Sequence, residues 1–243
     1  MGYDYANILF TGNCNLNCFG CIGKHPSLQN LPINTSEFPL KNIDLLLEKV
    51  NQHKIPDLAF TGTNIDPQLY KHELKLINFI RERLNPETRL SLHTNGLLVL
   101  TKLDVFNSYD KASISFPSFN QKTFFQVTKS KIQPSIEKIL SSAKIPVKLS
   151  MLVTPFNEHE IPEYLQNAKN IGIKRIVLRK LKNHDADYPI ENIFKNEKKT
   201  KEIFGWPVYD VSGLEVTICG FDNSTARGLF LFSNGRLENY LVK

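Results

Sequence analysis

Cysteine is scarce in this chain, with four among 243 residues, and three of the four fall within eight positions, Cys14, Cys18 and Cys21. A disulfide framework of the kind that staples small secreted domains is therefore excluded, and a length of 243 residues needs none. Long apolar runs are also missing: nothing approaches the roughly 20 residues that a membrane-spanning helix requires. The first ten residues hold no basic stretch followed by a long apolar segment, so no secretory leader is expected. There is no internal repeat and no low-complexity segment. These absences point to a cytoplasmic protein with no membrane partner, in which clustered cysteines stay reduced and serve as metal ligands.

Charge is present but unfocused. The net charge of +6 comes from lysines spread over the chain, apart from the run Lys195-Asn196-Glu197-Lys198-Lys199-Thr200-Lys201. A scattered excess reads as a solvated surface, and it points to nucleic acid only weakly.

What stands out is the stretch Cys14-Asn15-Leu16-Asn17-Cys18-Phe19-Gly20-Cys21, placed just after the apolar run Ile8-Leu9-Phe10. Three thiols so close together seek a soft metal or each other. With His25 following Cys21, the spacing also fits a Cys3His zinc site. A purely structural iron–sulfur cluster prefers a fourth local cysteine, which is absent here. Cys219 lies far away beside Val216 and Ile218 and reads as a core cysteine.

Strand and helix signals alternate along most of the chain. Apolar strands are expected near Ile8, over Leu58-Ala59-Phe60, Arg89 to Thr94, Lys111 to Phe116, Pro146 to Val153 and Lys174 to Leu181. Each of the first five is followed by helical spacing. Asn157 and Glu160 have the spacing of a helix-capping pair. Such alternation argues for parallel strands with functional loops at their C-terminal ends. Six units fall short of the eight that close a barrel. The expected fold class is α/β, a partial (βα)6 TIM-like barrel over residues 1–182. A C-terminal extension over 183–243 follows, with a short basic helix at Ile190 to Ile203 and antiparallel strands. Ser212-Gly213 and Ser233-Asn234-Gly235 are its turn signals.

The C-x3-C-x2-C spacing after a first strand resembles the signature of the radical S-adenosylmethionine (radical SAM) superfamily, and the order of elements matches it over about residues 5–181. The resemblance implies that Cys14, Cys18 and Cys21 hold three irons of a [4Fe–4S] cluster, leaving the fourth iron to SAM. It implies reductive cleavage of SAM to a 5′-deoxyadenosyl radical that abstracts hydrogen from a substrate. Thr61-Gly62-Thr63-Asn64-Ile65-Asp66-Pro67 stands where the family has a Gly-Gly-Glu-Pro loop, which makes Gly62, Thr63 and Asp66 candidate contacts to the SAM amino group. Asn95 at the end of the third strand, Ser113 and Ser115 on the fourth, Asn157 after the fifth and Arg179 ending the sixth are further candidate cofactor contacts. The chain departs from the family at Gly20, where an aromatic residue usually precedes the third cysteine.

The expected function is thus a radical SAM enzyme of oxidoreductase or transferase type, fed by an external flavodoxin- or ferredoxin-like electron donor. Its substrate is open among protein or peptide, RNA and small molecule. An activase that makes a glycyl radical on a partner protein is one alternative, and Gly20 fits it. A zinc or iron–sulfur protein that binds nucleic acid without catalysis is the other.

Overall fold

The computed structural model describes residues 2–181, 190–220 and 224–241. Among these residues eleven strands, numbered in chain order with their ranges given below, form one curled sheet in the order β11-β10-β1-β2-β3-β4-β5-β6-β9-β8-β7. The first six are β1 (Tyr5–Phe10), β2 (Asp57–Gly62), β3 (Arg89–Thr94), β4 (Lys111–Ser115), β5 (Val147–Leu152) and β6 (Arg175–Arg179). All neighbours among them pair in parallel, which is the half-barrel the alternation predicts.

Between the strands run α1 (Pro26–Gln29), α2 (Ile43–Gln52), α3 (Glu73–Arg81), α4 (Leu103–Phe106), α5 (Gln121–Thr128), α6 (Ile136–Ser142) and α7 (Ile161–Asn170). Their apolar stripes explain their places. Ile43, Leu46, Leu47 and Val50 of α2 are all buried, and so are Leu76, Ile77 and Ile80 of α3. They pack with Ile8, Phe60, Leu92 and Ile114 on the outer face of the sheet, in the main core cluster. Each such side chain contributes roughly 1.5–3 kcal/mol by leaving water.

The C-terminal part does not form a separate layer. After α8 (Ile190–Ile193) come β7 (Lys198–Ile203), β8 (Trp206–Val211), β9 (Leu214–Cys219), β10 (Gly228–Leu231) and β11 (Leu237–Glu238). β9 adds in parallel to β6, and β10 adds in parallel to β1, so the tail extends both edges of the core sheet. Antiparallel pairing is confined to β7–β8, β8–β9 and β10–β11. The helix expected from Ile190 to Ile203 is a correction: only its first four residues are helical, and Lys198–Ile203 is an exposed strand. Phe204 and Gly205 turn it back with φ of 55° and 82°, the left-handed pair that a tight hairpin needs. The boundary expected at 182/183 and most of Asn183 to Glu191 lie outside the described residues.

The inner face of the sheet is different in kind. Residues in register on parallel strands share a face, so His93, Ser113 and Lys148 form one inner row. Ser115, Ser150, Val177 and Thr217 form the next row up. Leu152, Arg179 and Cys219 form the row at the strand ends. The β1–β10 side of this face is apolar, where Leu9, Phe230 and Phe232 cluster with Tyr5.

Candidate active site

The cysteine loop leaves the C-terminal end of β1 and is fastened on three sides. At the first, the backbone N–H groups of Asn17 and Phe19 donate to the carbonyls of Thr128 (3.1 Å) and Val127 (2.7 Å). These are carbonyls at the end of α5, which have no partner within their own helix. At the second, Gly23 lies flat on the loop after β2. A Cβ there would stand 2.5 Å from the Thr63 carbonyl oxygen and 2.5 Å from the Asn64 Cβ. At the third, Asn95 donates from Nδ2 to the Asn15 Oδ1 at 2.7 Å.

The loop after β2 doubles back tightly. A Cβ on Gly62 would fall 1.5 Å from the Ile65 carbonyl oxygen, so only glycine fits there. Thr63 is buried, its hydroxyl donates to the Phe10 carbonyl at 3.0 Å, and its own carbonyl faces the Cys21 Sγ at 3.8 Å. Asp66 is buried and links this loop to the end of β3. Its Oδ1 accepts from the Gln68 N–H at 2.9 Å, and its Oδ2 accepts from the Thr94 hydroxyl at 2.8 Å and the Asn95 N–H at 2.6 Å. Burial pushes its carboxyl above the usual range, against the pull of these donors.

Asn157 is fully buried and is likewise used within the chain. Its amide donates to the carbonyls of Pro117 (2.9 Å) and Leu152 (3.0 Å), and its Oδ1 accepts from the Thr154 N–H at 2.7 Å. The expected capping pair does not form, because Glu160 turns instead to the hydroxyls of Ser118 and Thr123. Ser113 is buried and Ser115 exposed, both on the inner face. Arg179 donates from Nε to the Ser150 hydroxyl at 2.9 Å, and its Nη1 meets the Cys219 Sγ at 3.8 Å. Cys219 is buried, as the sequence suggests, but it lies on the inner face rather than with Val216 and Ile218 in the outer core. Gly20 has a local cause: a Cβ there would stand 2.6 Å from both the Leu152 and Leu181 side chains.

Sequence reasoning missed three contributors: Asn15, Asn64 (whose Oδ1 accepts from the Gly12 N–H at 3.1 Å) and Lys148. The period-two strand pattern carried the signal for Lys148, which shares the inner face with Ser150.

The thiols suit an iron–sulfur cluster. Burial pushes Cys14 upward and Cys18 to about 12, with Cys21 and Cys14 next among the causes for Cys18, so the thiolates stand close enough to repel one another. A cationic cluster core relieves both costs, and loading it must release protons. Among the described residues no three His, Cys, Asp or Glu side chains converge on a single ion. A cluster binds each thiolate to a different iron and needs no such convergence. His25, the fourth residue of a zinc site, has its Nδ1 at 2.8 Å from the Ser27 hydroxyl and caps α1.

His93 sits among cations. Burial, then Lys148, Arg179 and Lys111, lower its pKa to about 3. A folded pKa below the unfolded value of 6.5 means that protonation favours unfolding, so stability present above pH 6.5 is lost as pH falls towards 3. The melting temperature is expected to drop between pH 7.5 and 5, and His93→Gln should shrink that drop. An unchanged drop would place the acid sensitivity elsewhere.

A half-barrel carrying three thiols where β1 ends and polar loops where the other strands end is an arrangement suited to a cofactor held at the strand ends. The model of the family described as Radical SAM superfamily matches residues 8–168, and the chain belongs to that superfamily. It is similar to the GTP 3′,8-cyclase of Chlorobaculum tepidum, 22% identical over 170 residues, or 67% of this chain and 49% of that one. It is also similar to the probable GTP 3′,8-cyclase of Methanocaldococcus jannaschii, 25% identical over 89% of this chain and 76% of that one. The chain thus spans about half the length of the first relative and three quarters of the second. Among solved structures, Streptococcus suis SuiB bound to S-adenosylmethionine superposes with a TM-score of 0.64 at 11% identity, covering 99% of this chain and 58% of that one. The structure of anSMEcpe with bound AdoMet and a peptide gives 0.56 at 15% identity, covering 76% and 54%. These superpositions show the fold, a partial TIM barrel. Membership of the superfamily implies a [4Fe–4S] cluster and SAM. No helix among the described residues is long and apolar enough to cross a membrane.

Proposed function

We propose that Cys14, Cys18 and Cys21 hold a [4Fe–4S] cluster, that SAM is bound beside it at the strand ends, and that a substrate enters the inner face of the half-barrel below. The observation that carries this is the close approach of Gly23, in the cysteine loop, to the Thr63–Asn64 backbone, which sets the thiols directly against the loop proposed for SAM. When bound, the cluster and SAM supply reductive carbon–sulfur cleavage and hydrogen abstraction. The chain's own residues bind and orient. The Thr63 carbonyl and the backbone at Gly62 offer acceptors to an ammonium group. Ser113, Ser115 and Asn95 offer donors to the carboxylate or ribose oxygens of SAM, and Arg179, held down on the Ser150 hydroxyl, is turned to the inner face below them. Asp66 and Asn157 act as positioning residues, because their polar atoms are held within the chain. Exposed Lys24 and Lys129 at the rim give an acidic electron carrier, such as a flavodoxin or ferredoxin, a surface to meet.

Two relatives named as GTP 3′,8-cyclases make GTP the first substrate to supply, and a peptide the second. Anaerobic reconstitution should give a brown protein with about four irons whose EPR signal shifts on adding SAM. With dithionite and SAM it should form 5′-deoxyadenosine, faster when the right substrate is present. A reconstituted protein that makes none, or a colourless one holding a single zinc, would sink the proposal.

A further inference from the structure

The cations on the inner face outnumber the carboxylates that could neutralise them. On β1 to β6 and β9, which form the floor around this point, two carboxylates face inward among the described residues, both near the bottom of the sheet, and each is already held by two cations. Asp57 meets Lys111 at 2.5 Å and Arg89 at 3.1 Å. Glu215 meets Arg175 and Lys201, both at 2.7 Å. Lys148 and Arg179 have no carboxylate within 4.0 Å among the described residues, and both side chains are only half-buried, so a solute reaches them.

Their setting is arranged rather than incidental. Lys148 and Ser150 project from the same face of β5, and the Arg179 guanidinium is drawn down onto the Ser150 hydroxyl at 2.9 Å. Three further titratable groups face this point: His93 from β3, Cys219 from β9 and Tyr5 from β1. None of them brings a negative charge at neutral pH: burial keeps the histidine neutral and holds the thiol and phenol protonated. Burial and the neighbouring Arg179, Arg175 and Lys111 pull the Lys148 ammonium down to about 8, the mark of a charge lacking a counter-ion. Lys148 lies well below the cysteine loop: Leu152, which packs under Gly20, stands four residues further along β5, or about 13 Å at strand rise. Arg179 starts from the row of Leu152 and reaches down to Ser150.

We infer that Lys148, Arg179 and the Ser150 hydroxyl form a subsite on the inner face of the half-barrel for an anionic group of the substrate, a phosphate or a carboxylate. This rests on the proposed function for the word substrate, but the anion binding does not depend on it. Two cations and a hydroxyl converging from neighbouring strands offer the several donors that such a group accepts.

The test is calorimetric titration of the full chain, with and without reconstituted cluster, using pyrophosphate and, separately, tricarballylate. One of the two is expected to bind one-to-one. Lys148→Met should weaken that binding about tenfold or more, Lys148→Arg should keep most of it, and Lys198→Met on exposed β7 should leave it unchanged. Preference for pyrophosphate identifies a phosphorylated substrate; preference for tricarballylate identifies a carboxylate. Lys148→Met should also raise the melting temperature in anion-free buffer, because it removes an uncompensated charge, and wild type should recover the difference when the anion is added. The inference is overturned if neither anion binds, if Lys148→Met binds as wild type does, or if SAM displaces the anion and so claims the subsite for itself. A protein that binds the anion but forms no 5′-deoxyadenosine would sink the proposed function and leave the subsite standing.

Discussion

Cys18→Ala is expected to give a colourless protein that makes no 5′-deoxyadenosine, while Cys219→Ala keeps the brown cluster and the product. The reasoning runs through ligand count. A cluster held by three thiolates cannot shed one without losing an iron, and no fourth cysteine stands in the loop to replace it. Cys219 belongs to β9 and meets Arg179, outside the loop that carries the others. Iron and sulfide analysis of both variants, beside the nucleoside product, checks this. Loss of the cluster on Cys219→Ala would make that thiol a ligand after all.

The second large effect concerns backbone rather than thiols. Gly62→Ala places a methyl group 1.5 Å from the Ile65 carbonyl oxygen, and a backbone atom in a tight loop cannot step aside as a flexible side chain does. Overpacking of this kind costs about 3 kcal/mol or more, which for a chain of this size lowers the melting temperature by about 6–12 °C. Because the same loop carries Thr63 and Asp66, SAM affinity should fall along with stability. Gly220→Ala is the control: its nearest neighbour, the Lys180 side chain, would lie 3.9 Å away, so the melting temperature should barely move. Equal behaviour of the two variants would contradict the doubled-back loop.

How much of this was legible in the sequence depended on the range over which each feature is decided. The six parallel strands and the helices between them were readable, since their apolar periods are written in consecutive residues. The three thiols were readable for the same reason. The placement of β9 and β10 was not: whether Leu214 to Cys219 pairs in parallel with Arg175 to Arg179 depends on a partner some forty residues away. The strand at Lys198 was hidden by charged residues of good helical propensity and by a Phe204-Gly205 turn that lacks the usual asparagine. At the site, loop position singled out Asp66 and Asn157 as polar. Only the fold reveals that their hydrogen bonds run inward to Thr94, Asn95, Pro117 and Leu152. Lys148 went unnoticed because a lysine in a strand is ordinarily a surface residue, and its lack of a counter-ion is a property of its neighbours.

The pairing of β10 with β1 bears on how the protein is made. Arg227 donates its N–H to the Asp4 side chain across 223 residues, so the strand that presents the cysteine loop gains its second neighbour only after more than two hundred further residues have been made. At about 5–20 residues per second, synthesis leaves the three thiols outside a finished fold for ten seconds or more. During that interval they are open to oxygen and to the wrong metals. The iron content of the protein as isolated, before any reconstitution, should therefore respond to the redox state and iron supply of the cell during translation.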